Sequence, residues 1–385
     1  MSRVRCPKCQ NVERILKAGI IRNKQRYYCK ECVYHFIIKK VQKDTHILSD
    51  KPASQVSLQD IASVAGVSIT TVSRALKNRP DINIQTREYI KELAKSLNYQ
   101  PNILAQSLVN KSTQTLGVII PSLETTVFST MLGGIQEVAS KAGYRVIICN
   151  SNENHETEIA NIQGLMNHLI DGLLICHSIQ TSSYEHIRIH LGKRIPIVQF
   201  YRVAIGLPIS QILAEDEVGA EKVTDYLIKK GCRRIALLLG PKNLSITQKR
   251  FNGYKISLEK HGINLDIKLL AHVDFLQESV EKALEDWLKI DPKIDGIISI
   301  SDKSAAQIIR LLKKKSIKIP EEINVFGFGN EFTGQIVEPE LSTFDTKTRI
   351  IGEEAAQLII EQIISGNQEV TSKLIPGEIV LRGSA

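Results

Sequence analysis

The sequence predicts a multi-domain protein in which a small cysteine-bearing module and an all-α segment precede an α/β body with parallel sheets. Three observations support this fold class. The chain of 385 residues is too long for one ordinary domain. Two Cys-x-x-Cys pairs stand near the N-terminus, 19 residues apart. From Thr115 onward, short runs of Ile, Val and Leu alternate with segments of helical spacing.

Positive charge is concentrated in the front of the chain. Residues 1–113 hold 20 Lys and Arg against 8 Asp and Glu, whereas residues 114–385 hold 30 against 33. This asymmetry favours a polyanionic partner for the front, although a solvated basic surface would give the same count. The sequence shows no secretory signal and no run of about 18 apolar residues, so we expect a soluble cytoplasmic protein that does not bind a membrane.

The first module is predicted to hold one structural Zn²⁺ ion. Each Cys-x-x-Cys pair can form a tight turn that directs two sulfurs toward one point, and two turns supply the four thiolates of a tetrahedral site. A segment of this size has little core, so the metal would provide much of its folding energy. The alternative, a redox or free-thiol segment, does not explain two matched pairs. The expected ligands are Cys6, Cys9, Cys29 and Cys32.

The stretches "CPKC" and "NKQRYYCKECVYHF" resemble the zinc ribbons at the N-termini of some insertion-sequence transposases. The resemblance implies a ribbon over residues 1–43 that contacts DNA, although similar ribbons also bind protein. Because this module is strongly basic, we expect Arg22, Lys24 and Arg26 to contact phosphates. The polar residues 44–55 show no periodicity and are predicted to be a linker.

Residues 56–100 show the pattern of three short helices. Ser57 and Ser68 are placed to cap the first two helices, and Gly66 separates them. Asn83 is placed to cap the third. Two short helices around a glycine turn, braced by a third, form a helix-turn-helix, whose second helix enters the DNA major groove. The alternative is a small structural helical bundle.

The stretches "DIASVAGVSITTVSRALKN" and "LNYQPNILAQSL" resemble the lactose/galactose repressor family, and the likeness runs from about residue 56 to the C-terminus. It implies a dimeric transcription factor with a DNA-binding headpiece, a hinge helix and a ligand-sensing core. In such a headpiece, Arg can bind a guanine edge with two hydrogen bonds and Ile can touch a thymine methyl group. The implied recognition-helix contacts are Ser68, Ile69, Thr70, Ser73 and Arg74, and the implied contacts to the DNA backbone are Ser57 and Asn78.

The segment "PNILAQSLVNK" matches the hinge of that family, which we place at residues 101–113. Asn102, Ala105 and Leu108 lie near one face of a helix too short to be stable alone. The resemblance implies that two hinge helices fold side by side in the minor groove, with Leu108 as the wedge that opens a base step. The alternative is a plain linker with a buried leucine.

The body, residues 114–385, is predicted to form parallel sheets covered by helices on both faces. The resemblance implies the two-lobed periplasmic-binding-protein fold, with the chain crossing between lobes near Ser210, Leu341 and Val370. Lobe 1 is expected at about 114–210 and 342–370, and lobe 2 at about 211–341 and 371–385. Ligands bind beyond the carboxyl ends of such strands, which is the cleft between the lobes.

Five residues are candidates for binding a small ligand in this cleft. Aromatic rings can stack on a sugar ring, guanidinium groups can bind two hydroxyls or a carboxylate, and a carboxylate can accept hydroxyl hydrogens. By position in the family, the candidates are Phe128, Arg202, Arg250, Phe275 and Asp302. Each could instead be an ordinary cap, lobe-surface or core residue.

Three positions depart from the family pattern. Thr125 stands where Asn is common, Tyr201 replaces an acidic residue, and Gly329 replaces a common Asp. Because several acceptors for sugar hydroxyls are missing, we expect a phosphorylated or acidic sugar to suit the Arg-rich, acid-poor remainder.

The sequence offers no catalytic machinery, so we expect no enzyme. No P-loop or G-x-S-x-G motif occurs, and the pair His155-Glu156 lacks a second His four residues on, where Ile159 stands. The predicted function is a ligand-controlled transcriptional regulator, expected to be a repressor. It would bind a pseudo-palindromic double-stranded operator as a homodimer, under control of a carbohydrate effector. The alternatives are a recombination-associated zinc-ribbon DNA-binding protein and a solute-binding protein without a regulatory role.

Overall fold

The computed structural model describes residues 4, 6–9, 11–21, 24–37, 56–100, 112–167, 170–193, 195–274 and 277–385. It divides into two compact units, residues 1–106 and 107–385, which are described separately below. Some predictions concern parts of the chain outside this description. They are the linker at 44–55, the hinge residues Asn102, Ala105 and Leu108, the side chains of Arg22 and Lys24, and Phe275.

The N-terminal module contains a three-stranded antiparallel sheet. Its strands, in spatial order, are β1 (Ile15–Ile21), β2 (Lys24–Cys29) and β3 (Tyr34–Ile37). Phe36 stacks on Tyr27 with ring centroids 5.8 Å apart. The buried residues here are Phe36, Cys6 and Cys29. The apolar core of this module is therefore small.

The headpiece consists of three helices: α1 (Leu58–Ala65), α2 (Ile69–Leu76) and α3 (Ile84–Ser96). The predicted caps are confirmed. Ser57 accepts a hydrogen bond from the Asp60 backbone N–H in a capping box, and Ser68 accepts one from Thr71. Gly66 ends α1 at a φ of 68°, a left-handed conformation that glycine adopts at no steric cost. An apolar core holds the helices together, including Ile61, Val72, Ala75 and Ile90.

The body contains two six-stranded sheets. The first has the strands β4 (Thr115–Ile120), β5 (Arg145–Asn150), β6 (Gly172–Ile175), β7 (Ile197–Phe200), β8 (Ser210–Ala214) and β14 (Ser372–Ile375). The second has β9 (Ile235–Leu239), β10 (Leu270–His272), β11 (Gly296–Ser299), β12 (Asn324–Phe328), β13 (Ser342–Asp345) and β15 (Glu378–Val380). Each sheet forms the centre of one lobe.

Helices connect the strands and cover the sheets. They are α4 (Thr126–Lys141), α5 (His155–Asn167), α6 (Glu185–Arg188), α7 (Asp216–Lys230), α8 (Ser245–Lys260), α9 (Gln277–Leu288), α10 (Asp302–Lys314), α11 (Thr333–Ile336) and α12 (Thr348–Ser365), with a 3-10 turn at Ile267–Leu269. None of the helices in the described part of the chain combines the length and apolar character needed to cross a bilayer.

The sheet topology confirms two lobes with parallel strands. The first sheet has the order β14-β8-β7-β6-β4-β5 and is parallel throughout. The second has the order β10-β9-β11-β12-β13-β15 and is parallel except at one edge, where β15 pairs antiparallel with β13. The core strands are buried along their whole length, as expected for a sheet covered on both faces.

The predicted lobe boundaries are wrong by a few residues. The chain leaves the first sheet after Ala214, re-enters lobe 1 after Asp345 and leaves it again after Ile375. The strands β8 and β14 therefore belong to the sheet of lobe 1, and β13 belongs to the sheet of lobe 2. In each case the chain crosses to the other lobe after the strand, not before it. An apolar run indicates a strand, but only its pairing partner decides to which sheet the strand belongs.

Candidate functional site

The exposed face of α2 presents the predicted base-reading residues. Ile69 is 43% exposed, Thr70 and Arg74 are exposed, and Ser73 is half-buried. The Ser68 hydroxyl is occupied as the helix cap, 3.1 Å from the Thr71 nitrogen. Residues on this face are therefore held by a capped helix and remain accessible to a partner.

Three charged residues that were not among the predicted DNA contacts share this surface. Lys77, Arg79 and Asp81 line one concave surface together with Ile69 and Arg74. The Arg74 guanidinium donates to Asp81 at 2.8 Å, and both side chains are about half exposed. The three basic residues of "RALKNRP" were the sequence feature that could have indicated this surface.

The predicted backbone-contact residues have structural roles as well. The Ser57 hydroxyl donates to the Asp60 carboxylate at 2.8 Å. Asn78 adopts a φ of 56°, in the left-handed region where Asn is enriched, directly after α2. Both residues lie at helix ends.

The four predicted zinc ligands converge. The sulfurs of Cys6, Cys9, Cys29 and Cys32 all lie within 4.8 Å of one another. Cys6 and Cys32, and likewise Cys9 and Cys29, have Sγ atoms 3.5 Å apart. The cysteines are free thiols, not disulfides. A Zn–S bond of about 2.3 Å gives tetrahedral S–S edges of about 3.8 Å, so the donor set fits a zinc tetrathiolate.

On the lobe 1 side of the cleft, two predicted ligand residues contact each other. The Arg202 guanidinium lies over the Phe128 ring, 5.1 Å from its centroid. Arg202 also donates to both carboxylate oxygens of Glu153, at 2.8 and 2.9 Å. Tyr201 packs edge-on against Phe128 and lies beside Arg250 of lobe 2. These side chains therefore form one paired, largely buried cluster.

On the lobe 2 side, Arg250 forms an ion pair with a carboxylate. Its guanidinium lies 2.7 Å from Asp216, and the two side chains are 2% and 1% exposed. It also donates to the Ile300 carbonyl and covers the Phe328 ring at 4.3 Å. Asp216 had not been predicted as part of the site. Asp216 lies two residues beyond the carboxyl end of β8, and this position was the signal available in the sequence.

Asp302 lies at the start of α10 with a second carboxylate close by. It accepts hydrogen bonds from the Thr343 hydroxyl at 2.6 Å and the Glu331 backbone N–H at 2.7 Å. Burial nevertheless raises the pKa of the Asp302 carboxyl to about 6. Burial, together with the negative charge of Asp302, raises the pKa of Glu331 to about 7. The two carboxyl groups cannot both ionise freely in this environment.

A cavity of about 400 Å³ opens between the lobes beside these carboxyl groups. Lobe 1 contributes the first turn of α4, and lobe 2 contributes the loop after β12. Its polar lining includes Thr126, Asn330, Glu331, Asp345 and Lys347. Gly329, one of the departures from the family pattern, also lines it, directly before Asn330 and Glu331.

The expectation of an acid-poor cleft is wrong. Glu153 already pairs with Arg202, Asp216 already pairs with Arg250, and Glu331 lines the cavity. Neither arginine therefore presents an unpaired charge to a phosphate. The carboxylates Glu153, Asp216 and Glu331 follow three different strands, so they do not belong to the motifs that hold the arginines.

Two family models match the chain. The one described as periplasmic binding proteins and sugar binding domain of LacI family matches residues 113–382. The one described as bacterial regulatory proteins, lacI family, matches residues 57–102. Residues 1–56 lie outside both matches.

Curated relatives and solved structures resemble the chain over most of its length. A ribose operon repressor of Halalkalibacterium halodurans is 28% identical over 327 residues, covering 85% of this chain and 96% of that protein. The transcriptional repressor CytR of Escherichia coli is 27% identical over 337 residues, covering 87% and 97%. The lac repressor dimer bound to operator and the anti-inducer ONPF matches with a TM-score of 0.78 at 24% identity, over 87% of this chain and 99% of that one. At that identity, the structural likeness shows the fold alone.

Proposed function

This chain belongs to the family of periplasmic binding proteins and LacI sugar-binding domains, and we propose that it is a transcriptional regulator whose affinity for DNA is controlled by a small ligand. One observation carries the proposal. The same chain holds a capped helix-turn-helix with an exposed second helix and a two-lobed core with a cavity between its lobes. The protein would act by binding and release at DNA in the cytoplasm, without catalysis.

The headpiece would read DNA through α2. Its exposed N-terminal half would enter the major groove, where Arg74 can bind a guanine and Ile69 can contact a thymine methyl group. Ser68, Thr70 and Ser73 would complete the base-facing surface. Ser57 and Asn78 lie at helix ends, where backbone groups can meet phosphates. A homodimer would present two such helices to a pseudo-palindromic operator.

The effector would bind between the lobes. Direct contacts cross the cleft: the Asn243 amide donates to the Ile179 carbonyl at 2.5 Å, and the Ser245 hydroxyl accepts from the Val203 backbone N–H at 3.4 Å. Glu331 of lobe 2 is in hydrogen-bond contact with Thr126 of lobe 1. These contacts change when the lobes open, so a ligand that binds one arrangement more tightly shifts the population.

A neutral sugar or sugar derivative suits this cleft best. Phe128, Arg202, Arg250 and Asp302 are buried and do not line the cavity in this arrangement of the lobes. They would contact a ligand by exchanging their present partners for it. The solved CelR–cellobiose complex, which matches at a TM-score of 0.66 and 23% identity, shows a protein of this fold with a sugar bound.

The N-terminal module would hold one structural Zn²⁺ through Cys6, Cys9, Cys29 and Cys32. The convergence of four free sulfurs supports the assignment. The ion would stabilise a module with little apolar core and place its basic surface near DNA. Removing zinc with a chelator should unfold this module while the signal of Trp287, the single tryptophan, stays unchanged because it lies in the core of lobe 2.

Selection of bound sequences from a random DNA pool tests the proposed function. We expect the full chain to enrich a pseudo-palindromic site, and we expect one sugar of a panel, rather than its phosphate, to change the recovery of that site. Enrichment of an asymmetric site without a dyad would contradict the dimer. A site recovered equally with every sugar would contradict control by a carbohydrate.

A further inference from the structure

A second cluster of metal-binding side chains lies in lobe 1, far along the sequence from the cysteines. His155 is the first residue of α5, and Glu158 follows one turn later. His186 lies on the short helix α6. One ligand atom from each of the three residues falls within 4.8 Å of the others. We infer that His155, Glu158 and His186 form a binding site for a divalent transition-metal ion.

The histidine rings are arranged for a shared ligand. The rings of His155 and His186 meet edge-on, with centroids 5.0 Å apart. The Nδ1 atom of His155 is buried and has no hydrogen-bond partner. A buried ring nitrogen without a partner is costly in a native protein, and a metal ion would satisfy such a nitrogen. This atom is the observation that a purely hydrogen-bonded core does not explain.

The carboxylate of Glu158 is fixed in the way that metal-binding carboxylates are. One oxygen, Oε2, accepts from the backbone N–H and hydroxyl of Ser178, both at 2.8 Å, and from the Thr181 hydroxyl at 2.9 Å. The other oxygen, Oε1, lies 2.9 Å from His186 Nε2. Outer hydrogen bonds therefore hold one oxygen and leave the other facing the histidines.

His177 supports the cluster from the opposite side. Its Nδ1 lies 3.2 Å from Glu158 Oε1, and its Nε2 lies 3.3 Å from Gln199 Oε1. Gln199 Oε1 also accepts from the Ala204 backbone N–H, so this oxygen is an acceptor. Both nitrogens of His177 thus have partners within the protein. His177 orients Glu158 and leaves the metal to the other two histidines.

The donor set indicates which metal would bind. Two imidazoles and one carboxylate suit Zn²⁺, Ni²⁺ or Co²⁺ better than Mg²⁺ or Ca²⁺, which prefer oxygen ligands. The atoms Glu158 Oε1 and His186 Nε2 are 2.9 Å apart, close to the roughly 3.0 Å between neighbouring ligands at right angles around an ion with bonds of about 2.1 Å. A tetrahedral Zn²⁺ ion would place them about 3.4 Å apart. Three protein ligands leave further positions for water or a bound molecule.

The location connects this site to the movement of the lobes. Segment 177–186 carries His186 and also Ile179, whose carbonyl accepts the Asn243 amide of lobe 2. The Ile179 backbone N–H donates to Glu153, which in turn pairs with Arg202 in the cleft. An ion joining α5 to α6 would fix this segment and favour the closed contact with Asn243. Metal binding would thus act on the same element as the effector.

Calorimetric titration of the tag-free full chain with Ni²⁺ tests the inference. We compare wild type with His155→Ala, His186→Gln and the control His190→Gln, which changes a histidine four residues from His186 outside the cluster. The variant Cys9→Ser separates this site from the cysteine cluster. We expect wild type, His190→Gln and Cys9→Ser to share one binding step that is weakened about tenfold or more in His155→Ala and His186→Gln.

The outcomes are distinct. If His155→Ala binds Ni²⁺ as tightly and with the same stoichiometry as His190→Gln, the cluster is a hydrogen-bonded core and the inference is wrong. Because His155 is half-buried and its Nδ1 has no partner, His155→Ala should fold, as circular dichroism will check. Loss of a metal step only in Cys9→Ser would also overturn the inference while supporting the zinc module, so the two proposals fail separately.

Discussion

Two Arg–Asp pairs of nearly equal length lie in opposite environments. Arg74 and Asp81 on the headpiece are 2.8 Å apart with side chains 56% and 48% exposed, whereas Arg250 and Asp216 in lobe 2 are 2.7 Å apart and 2% and 1% exposed. Water screens the first pair, so its contribution to stability is small and Arg74 can exchange Asp81 for another partner. The second pair has lost its water, so each charge depends on the other.

This difference fits the two tasks that the proposed function gives to Arg74 and Arg250. An arginine that reads DNA must be accessible and weakly held before it binds. An arginine in a cleft that switches must be held strongly, so that any ligand competing for it changes the balance between lobe arrangements. Exposure, rather than distance, separates the two pairs.

The largest effect should come from breaking the buried pair. Arg250→Ala leaves Asp216 as an unpaired buried charge, and we expect it to lower the free energy of unfolding of lobe 2 by about 3–5 kcal/mol. Denaturant unfolding followed by the fluorescence of Trp287, which lies in this lobe, measures the change. The matched control is Arg234→Ala, which removes a half-buried pair with Asp266 in the same lobe. If Arg250→Ala and Arg234→Ala lower the free energy of unfolding equally, burial does not decide how much such a pair contributes to stability.

The next effect concerns Glu331. Its pKa is raised in the folded state to about 7, so its contribution to stability is greatest at low pH and is lost as the pH rises through about 7. The free energy of unfolding of lobe 2 should thus rise as the pH falls from 8 to 5. Glu331→Gln mimics the protonated form, and we expect it to stabilise lobe 2 by about 2 kcal/mol at pH 8 and to have little effect at pH 5.

The control for this pH dependence is Glu338→Gln, which changes an exposed carboxylate in the same lobe. Trp287 again reports unfolding at each pH. A Glu331→Gln variant that is destabilised at pH 8, or that keeps the pH slope of the wild type, would show that the carboxyl group is not held protonated by burial.

The smallest effect on stability should come from the exposed pair. Arg74→Ala should change the free energy of unfolding by less than about 1 kcal/mol, yet weaken binding to the selected operator by about 1–3 kcal/mol. Fluorescence anisotropy of labelled DNA at several salt concentrations measures affinity. Asp81→Asn is the control, because it frees Arg74 without removing it, and affinity should not fall. Arg74→Ala binding as tightly as wild type would exclude a role in base recognition.

Local features of the sequence predicted the headpiece in detail. The caps Ser57, Ser68 and Asn83 and the glycine turn at Gly66 lie within a few residues of the helices they bound, and all four are found there. The spacing of the cysteine pairs likewise predicted that four sulfurs converge. Such signals are reliable because the groups that interact are close in the chain.

The cleft was predicted only in part. Arg202 and Asp302 lie just beyond the carboxyl ends of strands, and Phe128 and Arg250 lie in the helices α4 and α8 that follow strands. The carboxylates Glu153, Asp216 and Glu331, which pair with the arginines or line the cavity, were not foreseen. Glu153 lies 49 residues from Arg202, and Asp216 lies 34 residues from Arg250. No local pattern encodes such pairings.

The sequence by itself determined the order of the modules, the headpiece helices with their ends, and the alternation that produces parallel sheets, because short-range capping and hydrophobic periodicity decide these. The tertiary structure alone decided where the chain crosses between lobes, which carboxylate neutralises each cleft arginine, and that His155 and His186 meet at Glu158. Those outcomes depend on which strands pair and which loops share a sheet edge, and the packing of the whole lobe sets them.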